Sequence, residues 1–297
     1  MIDYDKLRAH AFAPVIQTYT TRDTLLYALG LNIGVDPLDA DALRFVADDP
    51  PQVAVTMPMN LARLGPWMRD PAVGIDYSRI VVGEFTLRLH APIPASGTVR
   101  GEHRILRVTD KGAGRGALVT VLRELRDDAT NVLLAEYEQV TFCRGDGGFA
   151  VDGRHDAPRP LPPMPAMDRP PDLVIALLTS PRQALIYRLS GDMNPLHSHP
   201  EVARAAGFER PILHGLSTMG MTGHALARAM SRSEGLALAQ LSARFAAPVF
   251  PGDVLGLEGW REGERLAFRV TNATRREVVS NGSASFRHAP APRDSGS

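Results

Sequence analysis

Tyr187-Arg-Leu-Ser-Gly-Asp192-Met-Asn194-Pro-Leu-His197-Ser-His199-Pro200, followed by Gly207-Phe-Glu-Arg-Pro-Ile-Leu-His214-Gly215-Leu-Ser-Thr-Met-Gly220, gathers more chemically able groups than any other part of the chain. Asp192 and His197 stand five positions apart around Asn194-Pro195, and turn residues at that spacing fold a carboxylate and an imidazole toward one point. They read as an acid/base pair. Beyond them Leu216, Met219, Gly220, Gly223, Leu226, Ala227 and Met230 recur with the period of a helix, so a long helix is expected over 214–231. Its glycines permit close packing on a sheet.

Outward from this segment the texture is β. Residues 236–250, 254–260, 266–271 and 277–286 read as strands. So do 77–90, 98–108, 115–126 and 132–142, rich in Val, Leu, Ile and Thr and separated by turns such as Pro94-Ala-Ser-Gly97 and Asp110-Lys-Gly-Ala-Gly114. The four between 77 and 142 are expected to form an antiparallel meander. Arg88-Leu-His-Ala-Pro-Ile93 matches Arg244-Phe-Ala-Ala-Pro-Val249 at an offset of 156 residues, which implies two copies of one α+β unit, each a helix on an antiparallel sheet. Seven prolines between Pro158 and Pro171 exclude helix and inner strand; as polyproline II those 14 residues would span roughly 40 Å. The expected division is therefore 1–155, a linker at 156–172, a second unit at 173–287 and a disordered tail at 288–297. Before the first strands, 22–30 reads as a short helix with Thr21 or Asp23 near its N-cap and Gly30 or Gly34 as its stop. Only 60–68 could be helical in the Pro-interrupted stretch 36–69. Arg144-Gly-Asp-Gly-Gly148 opens no helix after a strand and reads as a turn, not a phosphate cradle.

The 297 residues suffice for two cores, and 44% hydrophobic with 22% charged residues excludes wholesale disorder. Lys+Arg and Asp+Glu balance at 33 each, so the overall charge gives no reason to expect a nucleic-acid or membrane-surface partner. Cys143 is the single cysteine, which excludes an internal disulfide and a cysteine zinc site and suits a reducing compartment. The acidic N-terminus does not read as a signal peptide and no run of 18 apolar residues occurs, so a cytoplasmic protein is expected. His197-x-His199 has no completing carboxylate pattern, and no metal is expected.

Tyr187 to His197 resembles the hydratase 2 motif of the MaoC-like, (R)-specific enoyl-CoA hydratases, and Pro211-Ile-Leu-His-Gly215 resembles the segment that follows it. Looser similarity extends over residues 15–287. The resemblance implies a double hotdog fold, a coenzyme A thioester substrate, no cofactor beyond that substrate, and a monomer or homodimer. It places Asp192 and His197 on one water against the double bond of a trans-2-enoyl thioester. Hydration removes a proton from the nucleophile and delivers one to Cα, and a carboxylate/imidazole pair serves both directions; which member is base stays open. Gly215, at the expected helix start, supplies a backbone N–H for the charge on the thioester oxygen. Asn194 fixes the loop or contacts the thioester. By resemblance Gly83, Lys111 and Phe245 line the thioester or its coenzyme A arm, Lys111 facing a phosphate, while His214 and His224 are core or supporting residues. Where the family has His-Gly-Glu this chain has Val82-Gly83-Glu84, which leaves the acyl preference open. The expected activity is reversible hydration to the (3R)-3-hydroxyacyl-CoA. The alternatives are dehydration of a branched, dicarboxylic or polyketide-like acyl thioester, and a non-catalytic acyl-CoA-binding protein.

Overall fold

The computed structural model describes residues 2–159 and 164–288. Its strands are β1 (Val15–Tyr19), β2 (Ile80–Leu89), β3 (Gly97–Asp110), β4 (Ala117–Asp127), β5 (Leu133–Cys143), β6 (Leu173–Leu178), β7 (Leu236–Phe245), β8 (Val254–Glu262), β9 (Arg265–Thr271) and β10 (Glu277–His288). The helices are α1 (Tyr4–Arg8), α2 (Thr21–Gly30), α3 (Ala40–Leu43), α4 (Gln183–Tyr187), α5 (Pro200–Ala205) and α6 (Gly215–Glu234).

All ten strands join one antiparallel sheet in the order β1-β3-β4-β5-β2-β7-β10-β9-β8-β6. The order reads the same from either end, five strands from each unit, as the double hotdog expectation requires. At the junction Thr86 faces Ser242, and these residues are themselves 156 apart. The flanking pairs Glu84 with Arg244 and Arg88 with Gln240 exchange under the same offset, so the sequence repeat is a local two-fold centred on this pair.

Several expectations need correction. The first group of strands is not a simple meander: β2 pairs with β5 and not with its successor β3. The connection between them is drawn across α2, where Thr24 Oγ1 donates to the Ala95 carbonyl at 2.8 Å and Tyr19 Oη to the Pro94 carbonyl at 2.8 Å. The short strands β1 and β6, unforeseen, occupy the two edges. Thr20, rather than Thr21 or Asp23, caps α2; the Asp23 carboxylate accepts from both its N–H and its hydroxyl at 2.8 Å. The expected strand over 236–250 ends at Phe245, five residues early, and both Ala246 and Ala247 then donate to the Val278 carbonyl. Residues 164–172 are irregular and bound to the second unit, with Trp260 Nε1 donating to the Arg169 carbonyl at 2.6 Å. Residues 160–163 of the expected linker lie outside the described residues; of the expected tail, His288 is in β10 and 289–297 lie outside.

The two units differ where it matters for the site. α6 lies on the second half of the sheet, where Gly223 lets it approach: a Cβ there would come within 2.8 Å of Leu241. The corresponding position in the first unit, near Met59, has no such helix, and the short helix expected over 60–68 is absent. Single 3₁₀ turns form at Met57–Met59 and Trp67–Arg69, with Ala62 at φ 47° between them. Gly65-Pro66 prevents helical continuation. A helix satisfies its own carbonyls; this segment relies on Arg123 of β4, which donates to the Pro58 and Met59 carbonyls at 2.7 and 2.9 Å.

Candidate active site

The chain leaves α4 at Tyr187 through a 3₁₀ turn that ends at Gly191, whose φ of 107° suits glycine. Asp192 follows on the reversal. Asn194 caps the next 3₁₀ turn, Pro195–His197, its Oδ1 accepting from Leu196 N–H at 3.1 Å. Asn194 is exposed and holds the loop, the first of the two roles open to it. His197 turns inward and its Nδ1–H donates to the Ile212 carbonyl at 2.8 Å, which leaves the lone pair on Nε2.

His214 is the residue just before α6, and its Nε2–H donates to the backbone carbonyl of Asp192 at 3.1 Å. Its ring stacks on His197 with centroids 3.7 Å apart, and the Tyr187 ring lies 5.0 Å from it, tilted. Asp192, His197 and His214 thus place side-chain donor or acceptor atoms within 4.8 Å of one another. They are the residues that could hold a metal, although each imidazole already commits one nitrogen to a carbonyl.

Arg63 completes the cluster from the first unit. Its guanidinium lies 3.3 Å from Asp192 Oδ2. Burial works to raise the Asp192 carboxyl, but the Arg63 charge, the two imidazoles and the Asn194 N–H outweigh it and hold the group below the usual carboxylate range. Burial pushes both imidazoles the other way: His197 is lowered and His214 falls to about 3. The resting site is a carboxylate beside two neutral imidazoles.

Gly215 opens α6, where the first N–H groups have no intrahelical partner and the helix dipole is positive. Glycine avoids a clash here: a Cβ would stand 2.8 Å from Cε1 of Phe245. Phe245 is therefore against the helix start, and Phe85 of β2 lies 5.9 Å from it. Gly83 and Lys111 are brought together elsewhere, at the end of the first unit's sheet. A Cβ on Gly83 would lie 3.9 Å from Phe142 Cβ, and Lys111 Nζ stands 4.7 Å over the Phe142 ring. Val82, beside them at the β2 bulge, is 41% exposed. His224 is not in this group; it packs edge-on against Phe45.

The reading of the sequence missed Arg63 and Asn60, which accepts from Tyr187 Oη at 3.0 Å. Both lie in the first unit, more than 120 positions from their partners, with no local motif around them. His214 was placed only as a core or supporting residue; its adjacency to Gly215 was the available signal.

Residues 164–282 match the MaoC like domain and 17–145 the MFE-2 hydratase 2 N-terminal domain. The chain is 38% identical to enoyl-CoA hydratase ChsH3 of Mycobacterium tuberculosis over 94% of its own length and 96% of that protein. The chain belongs to the MaoC-like hydratase 2 family. It is 33% identical to the peroxisomal enoyl-CoA hydratase 2 of Arabidopsis thaliana, over 95% of both chains. The crystal structure of a MaoC-like dehydratase from Phytophthora capsici superimposes with a TM-score of 0.81 at 28% identity, covering 97% of this chain and all of that one. Members of this family are lyases, and so is this chain. No helix among the described residues is long and apolar enough to cross a membrane.

Proposed function

We propose that the chain reversibly hydrates a trans-2-enoyl-CoA to the (3R)-3-hydroxyacyl-CoA. The observation that carries this reading is the convergence of an ionised Asp192 and a neutral His197, its Nε2 free, on His214, the residue before a helix start, Gly215, where a Cβ would crowd Phe245. The names of the relatives agree with it.

The dyad holds one water against one face of the double bond. A water proton passes to the dyad as the oxygen bonds to Cβ, and the π electrons move toward the thioester, whose oxygen is met by the Gly215 N–H. The dyad then delivers a proton to Cα, so H and OH add from the same side. Arg63 acts on the carboxylate, keeping it ionised and oriented. The reaction as proposed uses no metal and no redox cofactor. Gly83 and Lys111, far along the first unit, are assigned to the coenzyme A arm, with Lys111 facing a phosphate. Cytoplasmic location is also proposed, supported by a single cysteine that is buried, and tested by fractionation. A monomer or homodimer, with no nucleic-acid or membrane partner, is the expected state, and light scattering reads it directly.

The test is loss of the enoyl thioester ultraviolet absorbance with crotonyl-, octenoyl- and decenoyl-CoA. Asp192→Asn and His197→Ala should each lose about 100-fold or more in kcat while remaining folded. A folded wild type inert toward every chain length would refute the reading in favour of a binder.

A further inference from the structure

The interior of the first unit carries polar groups that the proposed chemistry does not use. Arg123, Tyr137 and Asn60 are 4%, 5% and 6% exposed, and Arg123 Nε, Tyr137 Oη and Asn60 Nδ2 have no hydrogen-bond partner among the described residues. Arg63 Nη1 is in the same condition. Two of these groups are guanidinium cations, yet among the described residues the one carboxylate paired with either is Asp192, with Arg63. Arg123 has only neutral partners among the described residues: two carbonyls and the face of Tyr137, 4.9 Å from its ring centroid. Tyr137 faces Arg123 across β4 and β5, so the next carboxylate on that strand, Glu138, points to the opposite side of the sheet, where Arg88 holds it at 2.7 Å. Burial has already lowered the Arg123 guanidinium to about 10. A buried cation with unused donors around it calls for an anion.

These groups lie on a line of contacts that begins at the reacting end. Phe245, against Gly215, is 5.9 Å from Phe85, and Phe85 is stacked 6.1 Å from Tyr137, which carries Arg123 on its ring. The return path runs from the Met59 carbonyl on Arg123 through neighbouring Asn60 to Tyr187 and His214. The orphaned donors therefore sit along the first-unit side of the site, at the segment that stands where the second unit has its long helix.

We propose that the acyl group of the natural substrate carries a carboxylate remote from the thioester, received by Arg123 and Tyr137 with Asn60. The proposal rests on the hydratase reading and names its substrate class: the coenzyme A monothioester of an unsaturated dicarboxylic acid.

Binding and turnover are read separately. Calorimetry compares saturated monothioesters of dicarboxylic acids of six to twelve carbons with the plain acyl-CoA of equal length. At the fitting length the carboxylate should tighten binding by about 10-fold or more, as expected where buried polar groups find a partner in one ligand and not in the other. Tyr137→Phe, which removes only a hydroxyl without a partner, should cut that advantage, and Arg123→Met should abolish it. Tyr137→Phe keeps the test informative if Arg123→Met, which also releases two carbonyls, does not fold. Equal or weaker binding of the dicarboxylic thioester at every length overturns the proposal and assigns the orphaned donors to ordered water. Crotonyl-CoA turnover, measured alongside, reports on the hydratase reading independently.

Discussion

Replacing Arg63 by methionine removes the charge beside Asp192 while keeping most of the side chain's apolar stem. With the two groups 3.3 Å apart, unit charges at an effective dielectric constant of about 20 attract by roughly 5 kcal/mol. That figure is an upper bound, because the side chains are 30% and 25% exposed and well-exposed pairs contribute about 1 kcal/mol or less. An intermediate value of about 1–3 kcal/mol corresponds to about 1–2 pH units at roughly 1.4 kcal/mol per unit. The sign follows from the direction of the shift. Asp192 is held below its ordinary range, so it is ionised above a low pKa; without Arg63 that pKa rises and the ionised fraction is lost at higher pH. The acid limb of kcat/KM for crotonyl-CoA should therefore move up by about 1–2 pH units. It belongs to the Asp192/His197 pair as a whole, since the two groups interact. Arg63→Lys should restore part of the shift. Initial rates from pH 4 to 8, beside a melting curve for each variant, measure it. A folded Arg63→Met enzyme whose acid limb stays in place would refute the assignment of Arg63 as the residue that keeps Asp192 ionised.

Gly215→Ala puts a methyl 2.8 Å from the Phe245 ring, so the ring must shift and the thioester loses its approach to the N–H; turnover should fall by about 100-fold, the range for a lost oxyanion donor. Full turnover in that variant would remove Gly215 from the role. Burial keeps His103, His214 and His224 neutral down to about 4, 3 and 4. The unfolded chain protonates them near pH 6.5, so it takes up protons that the fold refuses, and Tm should drop as pH falls from about 6.5 to 4. His224→Phe should make that slope shallower; a Tm independent of pH in this window contradicts the buried neutral state. Gly220→Val brings the new Cβ within 2.4 Å of Leu31 and should cost about 1–3 kcal/mol in denaturant melts, with no cost if the helix packing differs from that described. Val82→His should change chain-length preference more than kcat on the best substrate, and an unaltered preference profile would dismiss that position as a determinant.

The features legible in the chain before it folds are local or periodic. Asp192, Asn194 and His197 fall within one short loop, Gly215 opens a helix with an apolar stripe, and the strands of both units alternate between turn signals, so short-range spacing carries them. The 156-residue repeat even anticipates the two-fold at Thr86 and Ser242, because equivalent residues meet at the axis of a duplicated fold. Short edge strands such as β1 escaped notice, since five residues leave little periodicity to read. Which strands pair depends on long-range contacts: β2 reaches β5 because α2 holds the intervening connection, a contact distant in sequence. Such contacts also decided that 57–69 forms turns where a short helix over 60–68 was expected, with Arg123 supplying the donors a helix would not need. The electrostatics of the site belong to the same level. Arg63 sits 129 positions from Asp192, and the depressed carboxyl and neutral imidazoles arise from burial and through-space charge, which only the folded chain brings together.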